Sequence, residues 1–377
     1  MHPTSKRILA YDRARALAVM GMVLVNTSTM MGLCSITPKW IDAVVDFICG
    51  RAAVVFVMLA GVGMTLVYDR TPAAEAPRLR IRLVKRAAAL LLAGLLLIPI
   101  WQADILHYYA AYFFMGLWLL DAKTRYLKKT LKGIVLISVP VGALIAYDYQ
   151  GGEVLGKLED LPGAVSFFSD YFFSVFYPIL PWYGFFLTGM LLGRFERTPT
   201  LHRYPILVGG GIVVCGAAEL LSALLNSERV VGRWVDIEAP LWQAITLSEA
   251  FPANPLFIFS AGAFGVALIA FCRMLPERSS TASHPGPMVA FGRLSLTLYI
   301  SHILASSAYH QWILATHGSA SSEQMLFFST GFILAGIAFA TAWTRHFKRG
   351  PLEQLMDALT RLSLTPPRML KTPHTPA

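Results

Sequence analysis

Long apolar runs alternate along the chain with short polar or basic segments. Ten runs, at approximately 14–34, 43–67, 87–103, 105–120, 133–147, 172–192, 205–225, 254–272, 288–312 and 325–344, are read as helices crossing a bilayer. The reading rests on length, because about 20 apolar residues at 1.5 Å each span a ~30 Å hydrocarbon core. The third and fourth runs are short and meet at Trp101-Gln102-Ala103-Asp104, which reads as a tight outer turn. The pattern predicts an all-α polytopic membrane bundle with one transmembrane domain over residues 1–350. A cytoplasmic tail, 351–377, follows, and its Pro-rich end (Pro366, Pro367, Pro373, Pro376) is expected to be disordered. The loops from Asp148 to Tyr171 and from Asn226 to Ala253 are long enough to fold over an outer-facing cavity.

Charge sets the orientation. With the N-terminus inside, the inner segments hold 27 of the 32 Lys and Arg residues and the outer segments hold four, Lys39, Lys157, Arg229 and Arg233. Arg51 falls inside a span. Basic residues collect on cytoplasmic loops, so both termini are expected in the cytoplasm. The same rule accounts for most of the net charge of +10 without nucleic acid as a partner. Composition agrees. The chain is 55% hydrophobic and only 14% charged, against roughly 25% charged in soluble domains. The cysteines Cys34, Cys49, Cys215 and Cys272 match no zinc or redox spacing and read as small buried hydrophobes. The first apolar run lacks a signal-peptide cleavage pattern.

Polar residues at membrane depth are costly, which makes them the informative ones. Arg15 lies at the inner end of the first helix, and Asn26 is about 16 Å further along nearly the same face. Taken alone, Arg15 is better explained by positive-inside anchoring and Asn26 by an interhelical hydrogen bond. Arg51 is too deep to snorkel and needs a carboxylate, a carbonyl or a wet cavity; Asp46 is poorly placed to pair with it. Asp104 and His107 lie one turn apart, a spacing that suits a carboxylate orienting an imidazole for general-base work. It suits an N-cap carboxylate beside an interfacial His as well. His302 is mid-span on a helix that also carries Ser295, Thr297 and Ser301, so this helix reads as cavity-facing. His310 and His317 read as interfacial. There is no phosphate-binding Gly loop, dinucleotide fingerprint, metalloprotease helix or nucleophile elbow.

Four segments resemble the YeiB-like bacterial membrane proteins, relatives of the heparan-α-glucosaminide N-acetyltransferases and of the wider transmembrane acyltransferases. Asp12-Arg13-Ala14-Arg15-Ala16, continuing to Asn26, is similar to that family's opening Asp-x-x-Arg-Gly helix, with Ala16 for the usual Gly. Asp104-Ile105-Leu106, with Tyr109-Ala110, is similar to its Asp-Ile-Leu motif. Gly292-Arg293-Leu294-Ser295-Leu296-Thr297, with Tyr299 and His302, is similar to its late Gly-Arg helix, and Gly350-Pro351-Leu352-Glu353 to its closing Gly-Pro-Leu-Glu. Leu187-Thr188-Gly189-Met190, with Gly193-Arg194, is a weaker fifth match.

The resemblance implies acyl transfer across a bacterial inner membrane without a metal. Acyl-CoA, acetyl-CoA above all, approaches from the cytoplasm, and a small hydroxyl or amine acceptor such as a sugar, glycan or secondary metabolite binds from the other face. Arg15, Arg51, Arg293 and the basic inner loops are then expected to attract the CoA phosphates. Asn26 is expected to hold the developing oxyanion, and a His to take the acceptor proton. One departure bears on the base. The sugar acetyltransferases carry a His shortly after the Asn, where this chain has Thr37 and no His between Asn26 and Arg51. The base is therefore expected at His107, with Asp104, or at His302. A transporter of a small amphiphile is the alternative from another class, although no inverted repeat supports it; a sensor or scaffold lacks a signalling domain. The expected partners are acyl-CoA, the acceptor and the lipid bilayer, with a homodimer left open.

Overall fold

The protein is described from a computed structural model over residues 7–33, 35–149, 176–198, 202–227, 230, 239–276 and 284–361. Within them all regular structure is helical, apart from one isolated bridge between Ala250 and Ala253. The α-helices are α1 (Leu9–Met30), α2 (Lys39–Ile48), α3 (Arg51–Asp69), α4 (Ala76–Leu97), α5 (Leu106–Leu117), α6 (Thr124–Tyr149) and α7 (Ile179–Phe195). They continue as α8 (Arg203–Leu225), α9 (Ala239–Thr246), α10 (Pro255–Met274), α11 (Pro287–Arg293), α12 (Ser295–His317), α13 (Ser322–Trp343) and α14 (Pro351–Arg361).

Among the described residues, five stretches are long and apolar enough to cross a membrane: Lys39–Asp69, α6, α8, α10 and α13. The pair α11–α12, bent by 78° at Leu294, passes the same test when its two helices are taken together. The remaining expected spans fall short for identifiable reasons. α1 carries Asp12, Arg13 and Arg15 in its first turns, and α4 is basic from Arg78 to Arg86. α5 has only 12 residues and α7 only 17. The expected 43–67 span is present within Lys39–Asp69, built of two helices that meet at Gly50 (φ 66°), a conformation that a Cβ disfavours. Much of the loop from Asp148 to Tyr171 and the start of the 172–192 run lie outside the described residues.

α1 is the centre of the bundle, in contact with α2, α3, α10, α11, α12 and α13. Small residues allow a close approach between α3 and α7. A Cβ on Gly189 would sit 1.9 Å from the Met58 carbonyl oxygen, and one on Gly61 would sit 2.1 Å from that of Phe186. Backbone-to-backbone packing of this kind holds helices together where lipid provides no hydrophobic drive. Arg194 ties the same α7 to the turn after α5, donating to the Leu119, Leu120 and Ala122 carbonyls at 2.9, 3.3 and 2.7 Å.

The expected tail divides in two. Residues 351–361 are α14, which packs against α4 and α12; residues 362–377 lie outside the described residues. The sequence does not mark α14 as part of the bundle because it is too polar to read as a span. Its buried side is supplied by tertiary contact at Met356.

Candidate active site

The turn after α4 delivers Asp104 to the start of α5, where the first N–H groups of the helix have no intrahelical acceptor. The carboxylate is fully buried. Its Oδ2 accepts from the backbone N–H of Leu106 at 2.9 Å and of His107 at 3.3 Å, and it lies 3.2 Å from His107 Nδ1. Its Oδ1 accepts from the Tyr299 hydroxyl at 3.0 Å. Asp104 thus caps the helix and orients the imidazole at once. A neutral His107 that donates from Nδ1 carries its lone pair on Nε2, the arrangement a general base needs.

Tyr299 extends the network to α12 and α1. Its ring lies edge-on to that of His302, one turn later, with centroids 5.3 Å apart. His302 is fully buried, and its Nε2 is 3.1 Å from Asn26 Nδ2. The other ring nitrogen, Nδ1, faces the carbonyls of Leu298 and Tyr299 without a formed hydrogen bond. One turn further, the hydroxyls of Thr27 and Ser306 meet at 3.1 Å and fix the register of α1 against α12. Asn26, Asp104, His107 and His302 therefore belong to one contiguous cluster, and Tyr299 joins its halves. Sequence reasoning quoted Tyr299 but gave it no role; its position three residues before His302, hence on the same helix face, was the available signal.

Below this cluster lies a cavity of about 430 Å³. Arg7, Arg15, Arg82, Arg86, Arg293, Arg349 and Arg361 line it, with Glu353 and Asp357 the acids among its lining residues. Its apolar lining includes Phe56, Leu106, Tyr109 and Phe113. Leu106 precedes His107 in the chain and Tyr109 follows it by two positions, and the Phe56 ring stacks on Tyr299 with centroids 6.3 Å apart. Neighbours of the polar cluster thus line the cavity, while none of the cluster's own members does. A second cavity, of about 360 Å³ between α6, α7, α8 and α10, contains no titratable side chain.

The motifs find their reasons around the basic cavity. Asp12 is buried under three arginines: Arg7 at 2.7 and 2.8 Å, Arg15 at 3.0 Å and Arg293 at 3.8 Å. The i,i+3 spacing of Asp12 and Arg15 puts both on one helix face. Gly292 lets α11 lie on α1; a Cβ there would be 1.7 Å from the Asp12 carbonyl oxygen. The bend at Leu294 exposes the N-terminus of α12, and Glu353 satisfies it, accepting from the Leu296 and Thr297 N–H groups at 2.7 and 3.2 Å and from the Thr297 hydroxyl at 2.6 Å. Burial, followed by the nearby Arg7 and Arg361, holds the Arg349 guanidinium below its ordinary pKa. Crowded arginines of this kind favour a polyanionic ligand.

Arg51 does not join this group. It lies buried between the rings of Phe47 and Phe257, bonded to the Glu219 carboxylate and, at 2.8 Å, to the Ser260 hydroxyl. The sequence alone offered Asp46 as its nearest acid; the partner that the fold supplies is 168 positions away.

Two family models divide the chain between them. Residues 7–209 match a model described as heparan-alpha-glucosaminide N-acetyltransferase, catalytic. Residues 217–363 match one described as protein of unknown function (DUF418). No curated protein matches the chain. The cavity draws on both parts, with Arg7, Arg15, Arg82 and Arg86 from the first and Arg293, Arg349 and Arg361 from the second. Because the first match covers more than half of the 377 residues, the chain belongs to the family of the heparan-α-glucosaminide N-acetyltransferase catalytic model, and the second match gives its remaining part the YeiB-like character that the motifs resemble.

Proposed function

We propose that this protein is a membrane-embedded acyltransferase that moves an acyl group, acetyl above all, from cytoplasmic acyl-CoA to a small hydroxyl or amine acceptor. The observation that carries the reading is the arginine-lined cavity whose lining residues Leu106 and Phe56 adjoin His107 and Tyr299 of the cluster formed with Asp104, His302 and Asn26. Ten spans with both termini in the cytoplasm of a bacterial inner membrane fit this polarity, since the arginines then open to the side where CoA is found.

In this reading the arginines hold the phosphates by charge-assisted hydrogen bonds. The thioester reaches the inner, apolar end of the cavity. The acceptor arrives from the opposite face, and its oxygen or nitrogen attacks the thioester carbonyl carbon while His107 Nε2 takes its proton, the imidazolium being stabilised by Asp104. Asn26 gives one N–H to His302 and offers its second to the oxyanion. The C–S bond then breaks, and the proton on His107 passes to the departing thiolate.

The test is purified protein in detergent with acetyl-CoA, following free thiol with and without candidate acceptors. Acceptor-dependent thiol release is the expected result. Failure to bind acyl-CoA at millimolar concentration sinks the reading and returns the cavity to a transport path.

A further inference from the structure

We propose that Tyr109 donates a hydrogen bond from its hydroxyl to the acyl carbonyl of the donor, a contact residue that neither family match nor motif assigns. The inference rests on the acyltransferase reading and gives it an atom at the inner end of the cavity.

Tyr109 lines the cavity yet is only 4% exposed, and its hydroxyl has no hydrogen-bond partner among the described residues. A buried hydroxyl without a partner is costly, and folded proteins keep few of them unless something else completes the bond. The ring is held from several sides, by Phe56, Tyr112 and Phe113 at centroid distances of 5.7, 6.1 and 6.4 Å. The hydroxyl is therefore a preorganised donor. Other tyrosines of this region show the contrast: the hydroxyl of Tyr299 is spent on Asp104 and that of Tyr112 on the Tyr177 carbonyl.

The cavity polarises the ligand. Anionic groups belong at the arginines, and the part of the ligand remote from its phosphates meets Phe56, Leu106 and Phe113, whose side chains carry no donor; Arg86, 5.8 Å over the Phe113 ring, stands where the two linings meet. There the Tyr109 hydroxyl faces the one strong acceptor of a thioester, its carbonyl oxygen. As the acceptor adds, this oxygen gains negative charge and the bond strengthens, which favours the transition state over the bound substrate. Tyr109 keeps its proton throughout. The acceptor proton goes to His107 and then to the thiolate, so the step balances without it.

The experiment is Tyr109→Phe, which removes the hydroxyl and keeps the ring packing. Binding of CoA and of acetyl-CoA to purified protein is measured alongside thiol release and the melting temperature. The expected result is an unchanged or higher melting temperature, CoA binding within about twofold of wild type and loss of any preference for acetyl-CoA over CoA. kcat is expected to fall about a hundredfold, the usual effect of deleting one oxyanion donor. Wild-type kcat with the acetyl preference intact overturns the inference and leaves the acyltransferase reading standing. A lower melting temperature with normal kcat also overturns it, because the hydroxyl is then structural. Wild-type protein that binds neither CoA nor acetyl-CoA overturns both.

Discussion

The Tyr299 hydroxyl donates a 3.0 Å hydrogen bond to Asp104 Oδ1, joining helices whose contributing residues are 195 positions apart. The other oxygen of the same carboxylate faces His107. Through this one phenol, a site near the start of α5 is tied to the Asn26–His302 pair between α1 and α12.

Tyr299→Phe tests the tie. The ring still stacks on Phe56, so the fold is expected to hold, with a stability loss of about 1–3 kcal/mol for the unsatisfied carboxylate oxygen. Turnover is expected to fall about tenfold or more as Asp104 and His107 lose their fixed orientation. A thermal melt and a thiol-release assay on one preparation separate the two effects.

The two histidines are expected to differ. His107→Ala removes the proposed base and lowers turnover by about 10²-fold or more. His302→Ala removes the partner that orients Asn26 and is expected to lower it by about tenfold. Wild-type rates in both variants would discard the proposed mechanism.

The cavity arginines are expected to act on binding. Arg15→Gln or Arg82→Gln raises KM for acyl-CoA about tenfold, the value of one charge-assisted hydrogen bond, and leaves kcat near wild type. Raising ionic strength should narrow the gap between variant and parent, because screening weakens the same contacts. A fall in kcat at constant KM would place these arginines elsewhere in the mechanism.

The Arg51–Glu219 pair predicts the opposite pattern. Glu219→Ala leaves a buried guanidinium without its counter-charge, expected to cost about 3–5 kcal/mol. Because the pair lies outside the basic cavity, the variant's folded fraction should keep a normal KM for acyl-CoA. A melting-temperature measurement with a saturation curve checks both halves.

Close packing between α11 and α1 makes Gly292→Ala damaging. The new methyl would meet the Asp12 carbonyl at 1.7 Å, a backbone contact that no rotamer relieves. A loss of at least about 1–3 kcal/mol is expected, with acyl-CoA binding lost alongside because Arg293 moves with α11. Thermal unfolding in detergent, with and without CoA, reads both.

Apolar runs, charge asymmetry and short motifs carried much of this protein's architecture in plain view. The helical membrane character follows from hydropathy, because a backbone in lipid must satisfy its own hydrogen bonds and so forms helices. Asn26, Asp104, His107 and His302 were legible one by one, since polar groups at membrane depth stand out against their neighbours. Their assembly was not. The Asp104–Tyr299 bond spans most of the bundle, and no local periodicity encodes a contact at that separation. The partner of Arg51 was hidden for the same reason: interhelical pairing selected Glu219, not the nearby Asp46. The count of helices long and apolar enough to span was also decided by the fold. α1 and α4 bear charges of which Arg15, Arg82 and Arg86 line the basic cavity, and α14 lines that cavity as a polar helix that hydropathy reads as tail. Sequence alone determined which residues are too polar to face lipid; tertiary structure decided which of them face one another, because partner choice depends on how helices distant in the chain pack side by side.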